Sequence, residues 1–367
     1  MTHSLSDLVL DIDLDYMSTK LHASFEKMAG ETLYITGGAG FLGLYLTMAP
    51  LAWNKKNKNL KPIQVVISDI FKLGRPEWLA QVQEDPNLKI ILHDATTGLP
   101  AHLKPNWIIH AASFASPIWY REFPIETIYA NINGLAPLLE YAKNERSLLK
   151  GMLYFSSSEI YGNPDPLNIP TREDYNGNVS CNGPRACYDE SKRLCEALCA
   201  SYFFKHDVPI KLARPFNNYG PGLLLTDGRV LADLAKNVMQ GKDLILFSDG
   251  KPTRTFCYVA DAVIGYYLVL ALGKKGEAYN IGNPKPEISM EDFADLVAQT
   301  SQEVVNYKGK VQFQIHDDPK YLTDNPQRRC PDISKAQSQL NFQPEVELEE
   351  GVRRYIKWAA GQKVPLL

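Results

Sequence analysis

The sequence predicts an α/β protein built on a doubly wound parallel sheet, and three observations carry that expectation. From residue 32 to about 215, short β-branched runs alternate with helical stretches. A glycine-rich turn joins the first run to the first helix, and an aspartate closes the second run. Alternation of this kind buries both faces of a sheet under helices, so its strands read as unbroken apolar runs.

TLYIT at 32–36 is the first strand, and FLGLYLTMAPLAWN after it is a helix. IQVVIS at 63–68, LKIILH at 88–93 and WIIHAA at 107–112 are strands two to four, each a short, predominantly apolar run with β-branched residues. IETIYANINGLAPLLEYAKN at 125–144 repeats its apolar residues at intervals of three and four, as a long helix does. GMLYFSS at 151–157 is strand five, CYDESKRLCEALCASYFFKHD a second long helix, and PIKLARP strand six.

Beyond about residue 220 turns crowd in and this rhythm breaks. Helices are expected over VLADLAKNVMQG, ADAVIGYYLVLALG, EISMEDFADLVAQT and LEEGVRRYIKWAAG, with a short strand at LILF. The division predicted is an extension at 1–30, a dinucleotide-binding domain at 31–220, and a smaller C-terminal α/β substrate-binding domain at 221–367 that interleaves with it. The extension either packs on the domain or mediates assembly.

Composition narrows the function classes. The 367 residues are 45% hydrophobic and 22% charged, as in an ordinary globular protein. With a net charge of -3 and a densest basic run of only KKNKN at 55–59, a solvated loop is expected there and no nucleic-acid partner. The six cysteines, at 181, 187, 195, 199, 257 and 330, form no CxxC pair, and no His cluster has zinc spacing, so neither disulfides nor metal are expected and a cytoplasmic location is. The N-terminus is acidic where a signal peptide is basic, and no apolar run approaches the roughly 20 residues of a membrane span.

Gly37, Gly40 and Gly43, with Phe41 and Leu42 between the last two, make a turn between a strand and a helix. Glycines there permit a tight bend, close approach of a pyrophosphate and an anion at the helix N-terminus, the signature of a Rossmann-like site. Asp69, ending strand two, is placed for both hydroxyls of the adenosine ribose and would repel a 2′-phosphate, which favours NAD over NADP. Asp94 is placed for the adenine amino group, and Ala111, Ala112 and Ser113 are small enough for a cofactor to pass close to the backbone. Asn131 is either a cofactor contact or a structural one.

Ser157, Ser158 and Glu159 end strand five, and Tyr188 and Lys192 stand four apart on the following helix. That spacing puts both side chains on one face, where the Lys ammonium is expected to lower the pKa of the phenol so that it can take a proton from a sugar hydroxyl.

With GGAGFLG, YxxxK, RPFNNYGPG and TRTFCYVADA in place, residues 32–360 resemble the extended short-chain dehydrogenase/reductase family of nucleotide-sugar epimerases, 4,6-dehydratases and decarboxylases. Within it SSSEIYG, GPRACYDESKR, TDGRV and NPQRRCPDI are most similar to the branch that decarboxylates UDP-glucuronate. The resemblance implies that NAD oxidises C4 of a UDP-sugar, that Ser157 and Tyr188 meet the C4 oxygen, and that Lys192 holds the ribose. In the dehydratases the place of Ser158 is an aspartic acid, so dehydration is disfavoured; in simple 4-epimerases neither Ser158 nor Glu159 has a carboxylate counterpart.

Arg329 matches the family's arginine that helps protonate C5 or steers the carboxylate; a pKa above about 12 makes steering the better role. Cys330 stands where the family usually has Lys. The resemblance also assigns Asn217, Arg229 and Arg254 to the nucleotide diphosphate, and a homodimer through helices 125–144 and 187–205. A 4-epimerase, a 4,6-dehydratase and a non-catalytic NAD-binding protein remain the alternatives.

Overall fold

The computed structural model describes residues 5–316, 323 and 325–362. Two helices, α1 (Leu5–Lys20) and α2 (His22–Glu26), precede the sheet. Then come β1 (Thr32–Thr36), α3 (Phe41–Lys56), β2 (Gln64–Asp69), α4 (Trp78–Val82), β3 (Leu88–Leu92) and β4 (Trp107–His110). They are followed by α5 (Pro117–Glu122), α6 (Pro124–Asn144), β5 (Gly151–Phe155), α7 (Ala186–His206) and β6 (Ile210–Pro215). The remainder carries α8 (Val230–Met239), α9 (Val259–Leu272), β7 (Ala278–Ile281), α10 (Met290–Val305), α11 (Ser334–Leu340) and α12 (Leu348–Ala360), with short strands between them.

The main sheet has seven parallel strands in the order β7-β6-β5-β4-β1-β2-β3. Every residue of β4 and β5 is buried, which is why their sequences never alternate. The winding reverses between β1 and β4, so a crevice opens there beyond the carboxyl ends of the strands.

The seventh strand was not foreseen. AYNI is short and contains Asn280, yet that asparagine is fully buried and satisfied: its Nδ2 donates to the carbonyls of Thr171 (2.9 Å) and Asp332 (3.0 Å), and its Oδ1 accepts from Tyr161 (2.8 Å). The helix before it, α9, is apolar all round and packs on the sheet, with Tyr266 edge-on to Phe155 of β5 at 4.5 Å. Residues 259–281, which the sequence reading assigned to the C-terminal side, therefore lie on and in the main sheet.

The N-terminal helices are docked. Asp13 of α1 is fully buried; its Oδ2 accepts from Tyr45 of α3 (2.5 Å) and from Tyr258 at the start of α9 (2.6 Å), and its Oδ1 from Arg354 of α12 (2.7 Å). Tyr16 donates to Asp261 at 2.7 Å, and Met17, Leu21 and Phe25 are buried beneath. A buried carboxylate with three donors has its lone pairs largely satisfied, so the contact specifies how α1 seats.

Candidate active site

The glycine turn is shaped by steric contact. Gly37 has φ of +70°, and a Cβ there would stand 2.7 Å from the Cα of Ala112, so only glycine lets the turn approach the end of β4. A Cβ at Gly43 would lie 2.3 Å from the carbonyl oxygen of Gly38, which is how α3 starts so close to the turn. At Gly40, the N-cap, a Cβ would meet just the Gly37 carbonyl, at 3.3 Å, leaving the helix N-terminus open toward the crevice. The first amides of α3 lack intrahelical partners and face that space.

Asp69 ties the turn to β2. Its Oδ2 accepts from the Ala39 amide at 3.1 Å and its Oδ1 from the Phe71 amide at 2.8 Å, and each oxygen keeps a lone pair for a ligand. Asp94 spends Oδ1 on the Thr96 amide at 2.9 Å, capping a 3-10 turn. Asn131 makes a structural link: its Nδ2 donates to Ser191 (2.8 Å) and its Oδ1 accepts from Ser113 (2.7 Å), joining α6 to α7 and to the loop after β4, with one N–H and one lone pair left over.

The second cluster stands at the end of β5. Ser157 caps a short 3-10 turn by accepting from the Glu159 amide at 3.1 Å, which presents Ser157, Ser158 and Glu159 on consecutive positions of one bend. Helix α7 brings Tyr188 and Lys192 against it, both buried. The phenol is pushed up to about 12 by burial, opposed by a hydrogen bond to Ser157. Lys192 donates to the Phe155 carbonyl at 2.8 Å, and burial brings its ammonium down to about 8.

The expected lowering of the Tyr188 pKa by Lys192 is thus corrected. The ammonium is engaged by a backbone carbonyl and lies 5.7 Å from the centre of the phenol ring, so burial prevails and the phenol is raised.

Glu159 is gripped by two guanidiniums. Its Oε2 accepts from Nη2 of Arg185 and from Nη2 of Arg329, the latter at 2.9 Å. Burial raises its pKa, but Arg185, Arg329 and Arg254 outweigh that and hold the carboxyl below the ordinary carboxylate range. Arg329 also donates to the Ser158 carbonyl and is almost completely buried. The short strand Arg328–Arg329 pairs with Thr253–Arg254, so Arg329 and Arg254 are register partners. Arg254 donates to the carbonyls of Thr253 (2.7 Å) and Pro326 (2.6 Å), and burial beside Arg329 lowers it to about 10.

A sequence profile described as the NAD dependent epimerase/dehydratase family matches residues 33–282. The chain belongs to this family. UDP-glucuronic acid decarboxylase 6 of Arabidopsis thaliana is 37% identical over 320 residues, 87% of this chain and 86% of the relative. UDP-glucuronic acid decarboxylase 1 of Xenopus tropicalis is 36% identical over 326 residues, 89% and 71% of the two chains. Among solved structures, UDP-glucuronic acid 4-epimerase from Bacillus cereus in complex with NAD is similar with a TM-score of 0.72 at 25% identity, covering 89% of this chain and 96% of that one.

The cofactor of this epimerase/dehydratase family is NAD, and the crevice fits it: an open helix N-terminus at Gly40, small residues at Ala111 and Ala112, and a carboxylate at Asp69 that disfavours a 2′-phosphate. Asn217, Arg229 and Arg254 each have partners within the chain. Asn217 donates to the Thr255 carbonyl (2.8 Å), whereas Arg229 pairs with Asp227 (2.8 Å) and lies 5.4 Å over the Phe41 ring of the glycine turn. Arg328, adjacent to Arg329, forms a bidentate pair with Glu287 at 2.8 Å.

Sequence reasoning missed Arg185. It stands three residues before Tyr188, between helix and loop, and it donates to Glu159 and to Asn325 (2.7 Å) while its guanidinium lies 5.9 Å from the ring of Tyr120. Tyr120 stacks on Tyr188 at 5.1 Å, so Arg185, Tyr120 and Tyr188 form one wall. The available signal was an Arg immediately preceding a helix that carries the Tyr and Lys.

Proposed function

We propose that this protein is a decarboxylase of UDP-glucuronate, forming UDP-xylose by C4 oxidation, loss of CO2 and re-reduction. The observation that carries the reading is the ionised Glu159 held between Arg185 and Arg329, next to a serine rather than an acid at 158. A 4,6-dehydratase needs a proton donor at position 158 for the departing hydroxyl, and Ser158 is too weak a donor. A C4 epimerase has no task for a carboxylate clamped by two arginines. The decarboxylases among the relatives support the same choice.

Ser157 and Tyr188 orient the C4 hydroxyl, and Tyr188, in its phenolate form, takes the hydroxyl proton and becomes the neutral phenol. NAD held in the crevice by the glycine turn and Asp69 would supply a hydride acceptor for C4 and, once reduced, the hydride donor that restores it. The resulting 4-keto uronate is a β-keto acid, so the bond between C5 and the carboxylate breaks with its electron pair passing into the ketone as an enolate. Arg185 and Arg329 steer the departing carboxylate, and a water ordered by Glu159 supplies the proton that C5 then takes. Arg329 stays charged throughout, since its pKa far exceeds that of a working acid.

Incubation with UDP-glucuronate and NMR of the product tests this. A pentose nucleotide with released CO2 is expected; a six-carbon product epimeric at C4 would favour the epimerase reading.

The α6 and α7 pair exposes Ile125, Tyr129, Leu194 and Phe204, which supports a homodimer through these helices. Light scattering of the purified chain decides it, a monomer mass counting against. Six unpaired cysteines support a reducing, cytoplasmic location, which cell fractionation tests. Among the described residues no helix is long and apolar enough to cross a membrane.

A further inference from the structure

One contact stands outside the chemistry described so far. Lys72, in the loop after β2, places its ammonium 3.9 Å from the ring centre of Phe123 and 4.6 Å from that of Phe114. Phe114 lies in the loop after β4, and Phe123 lies between α5 and α6, just beyond it. In the sheet, β1 lies between β2 and β4, and its carboxyl end is the glycine turn. Adjacent strands stand roughly 4.8 Å apart, so a side chain reaching from the β2 loop to the β4 loop spans about two strand spacings across the end of β1. Lys72 therefore crosses the mouth of the dinucleotide crevice.

The far end of that bridge is anchored. Ser116, in the same β4 loop, donates to the Asp227 carbonyl at 2.6 Å, and a Cβ at Gly228 would lie 2.4 Å from Cδ1 of Ile118. Arg229 follows, paired with Asp227 and lying over Phe41 of the glycine turn. The β4 loop is thus fixed to the substrate side, and the β2 loop is fixed to the turn through Asp69. Lys72 is an exposed and breakable link between two secured loops.

We propose that Lys72 closes a strap over the crevice and that the dinucleotide exchanges when the cation leaves the Phe114 and Phe123 rings. A reaction that oxidises and then re-reduces the same sugar keeps its cofactor through each cycle, and slow exchange suits it. The bridge joins two protein loops, so it governs the rate of exchange rather than affinity. The proposal rests on NAD lying in this crevice and does not depend on which sugar is processed.

The test uses protein loaded with NAD+ and chased with excess NADH, whose fluorescence on binding reports release of the first cofactor. Lys72→Met keeps the stem and removes the charge; release is expected to quicken about tenfold, with the Kd from equilibrium dialysis within about twofold of wild type. Lys72→Arg restores the cation over the rings and should bring release back to near the wild-type rate. Unchanged release in Lys72→Met overturns the strap, and so does a Kd that rises in step with release, which makes Lys72 a plain ligand contact. Wild-type protein that takes up no NAD overturns the cofactor assignment together with the strap, an outcome distinct from normal uptake with unaltered release.

Discussion

Arg329 donates from Nη2 to Oε2 of Glu159 at 2.9 Å, joining residues 170 positions apart in sequence. The contact places a C-terminal strand directly on the bend that ends β5. It also helps fix the charge state of Glu159, because guanidiniums on either side hold the carboxyl below its usual range despite burial. Glu159 therefore serves as a charge and water-orienting group, and its neighbours carry as much of the site as it does.

Glu159→Gln should lower turnover of UDP-glucuronate by about 10³-fold while substrate affinity changes by less than about fivefold. Steady-state kinetics with isothermal titration separates the two. Near-normal turnover would remove Glu159 from the chemistry.

Arg185→Ala takes away one of the cations that hold Glu159 down, so the Glu159 pKa should rise and the acidic limb of the pH–rate profile should move upward. Turnover should fall by about 10²-fold, with Arg185→Lys recovering part of it. An unmoved acidic limb would mean that Arg185 supports only the fold.

Tyr188→Phe leaves the Tyr120 stack intact but removes the group that takes the C4 proton. A single-turnover rise in absorbance at the NADH band should slow by about 10³-fold. An undiminished rise would dismiss Tyr188 as the base.

Asp13→Ala leaves Arg354 and the hydroxyls of Tyr45 and Tyr258 without their shared acceptor. Breaking such a buried ion pair is expected to cost about 3 kcal/mol or more, read as a lower urea midpoint at unchanged slope. An unchanged midpoint would show that α1 is held by its apolar contacts alone.

Burial, and after it the Lys192 ammonium, brings His110 from the ordinary 6.5 down to about 3. The native imidazole stays neutral, accepting from or donating to Thr36 at 2.7 Å, while the unfolded one protonates. Between those pH values the unfolded state binds more protons, so stability is full above 6.5 and declines as pH falls toward 3. His110→Gln should flatten that decline in urea titrations; an equally steep decline would locate the acid sensitivity elsewhere.

Much of this was legible in the sequence, and for identifiable reasons. The apolar runs of β4 and β5 marked strands buried on both faces, and GGAGFLG marked the turn whose Gly37 lies too close to Ala112 for any side chain. What escaped was whatever depends on distant partners. Strand β7 was hidden because Asn280 is satisfied by residues 109 and 52 positions away. Arg185 was hidden because its partner Glu159 lies 26 residues back, at no regular spacing. The Tyr188–Lys192 pair was read correctly as one helix face, but its electrostatics depend on burial and on the Phe155 carbonyl, neither of which spacing reveals.

The most direct measurement is turnover of UDP-glucuronate in deuterated water, with the product resolved by NMR. Decarboxylation predicts a pentose nucleotide carrying one solvent-derived deuterium at C5 and none at C4. A six-carbon uronate free of deuterium at C5 would contradict the account.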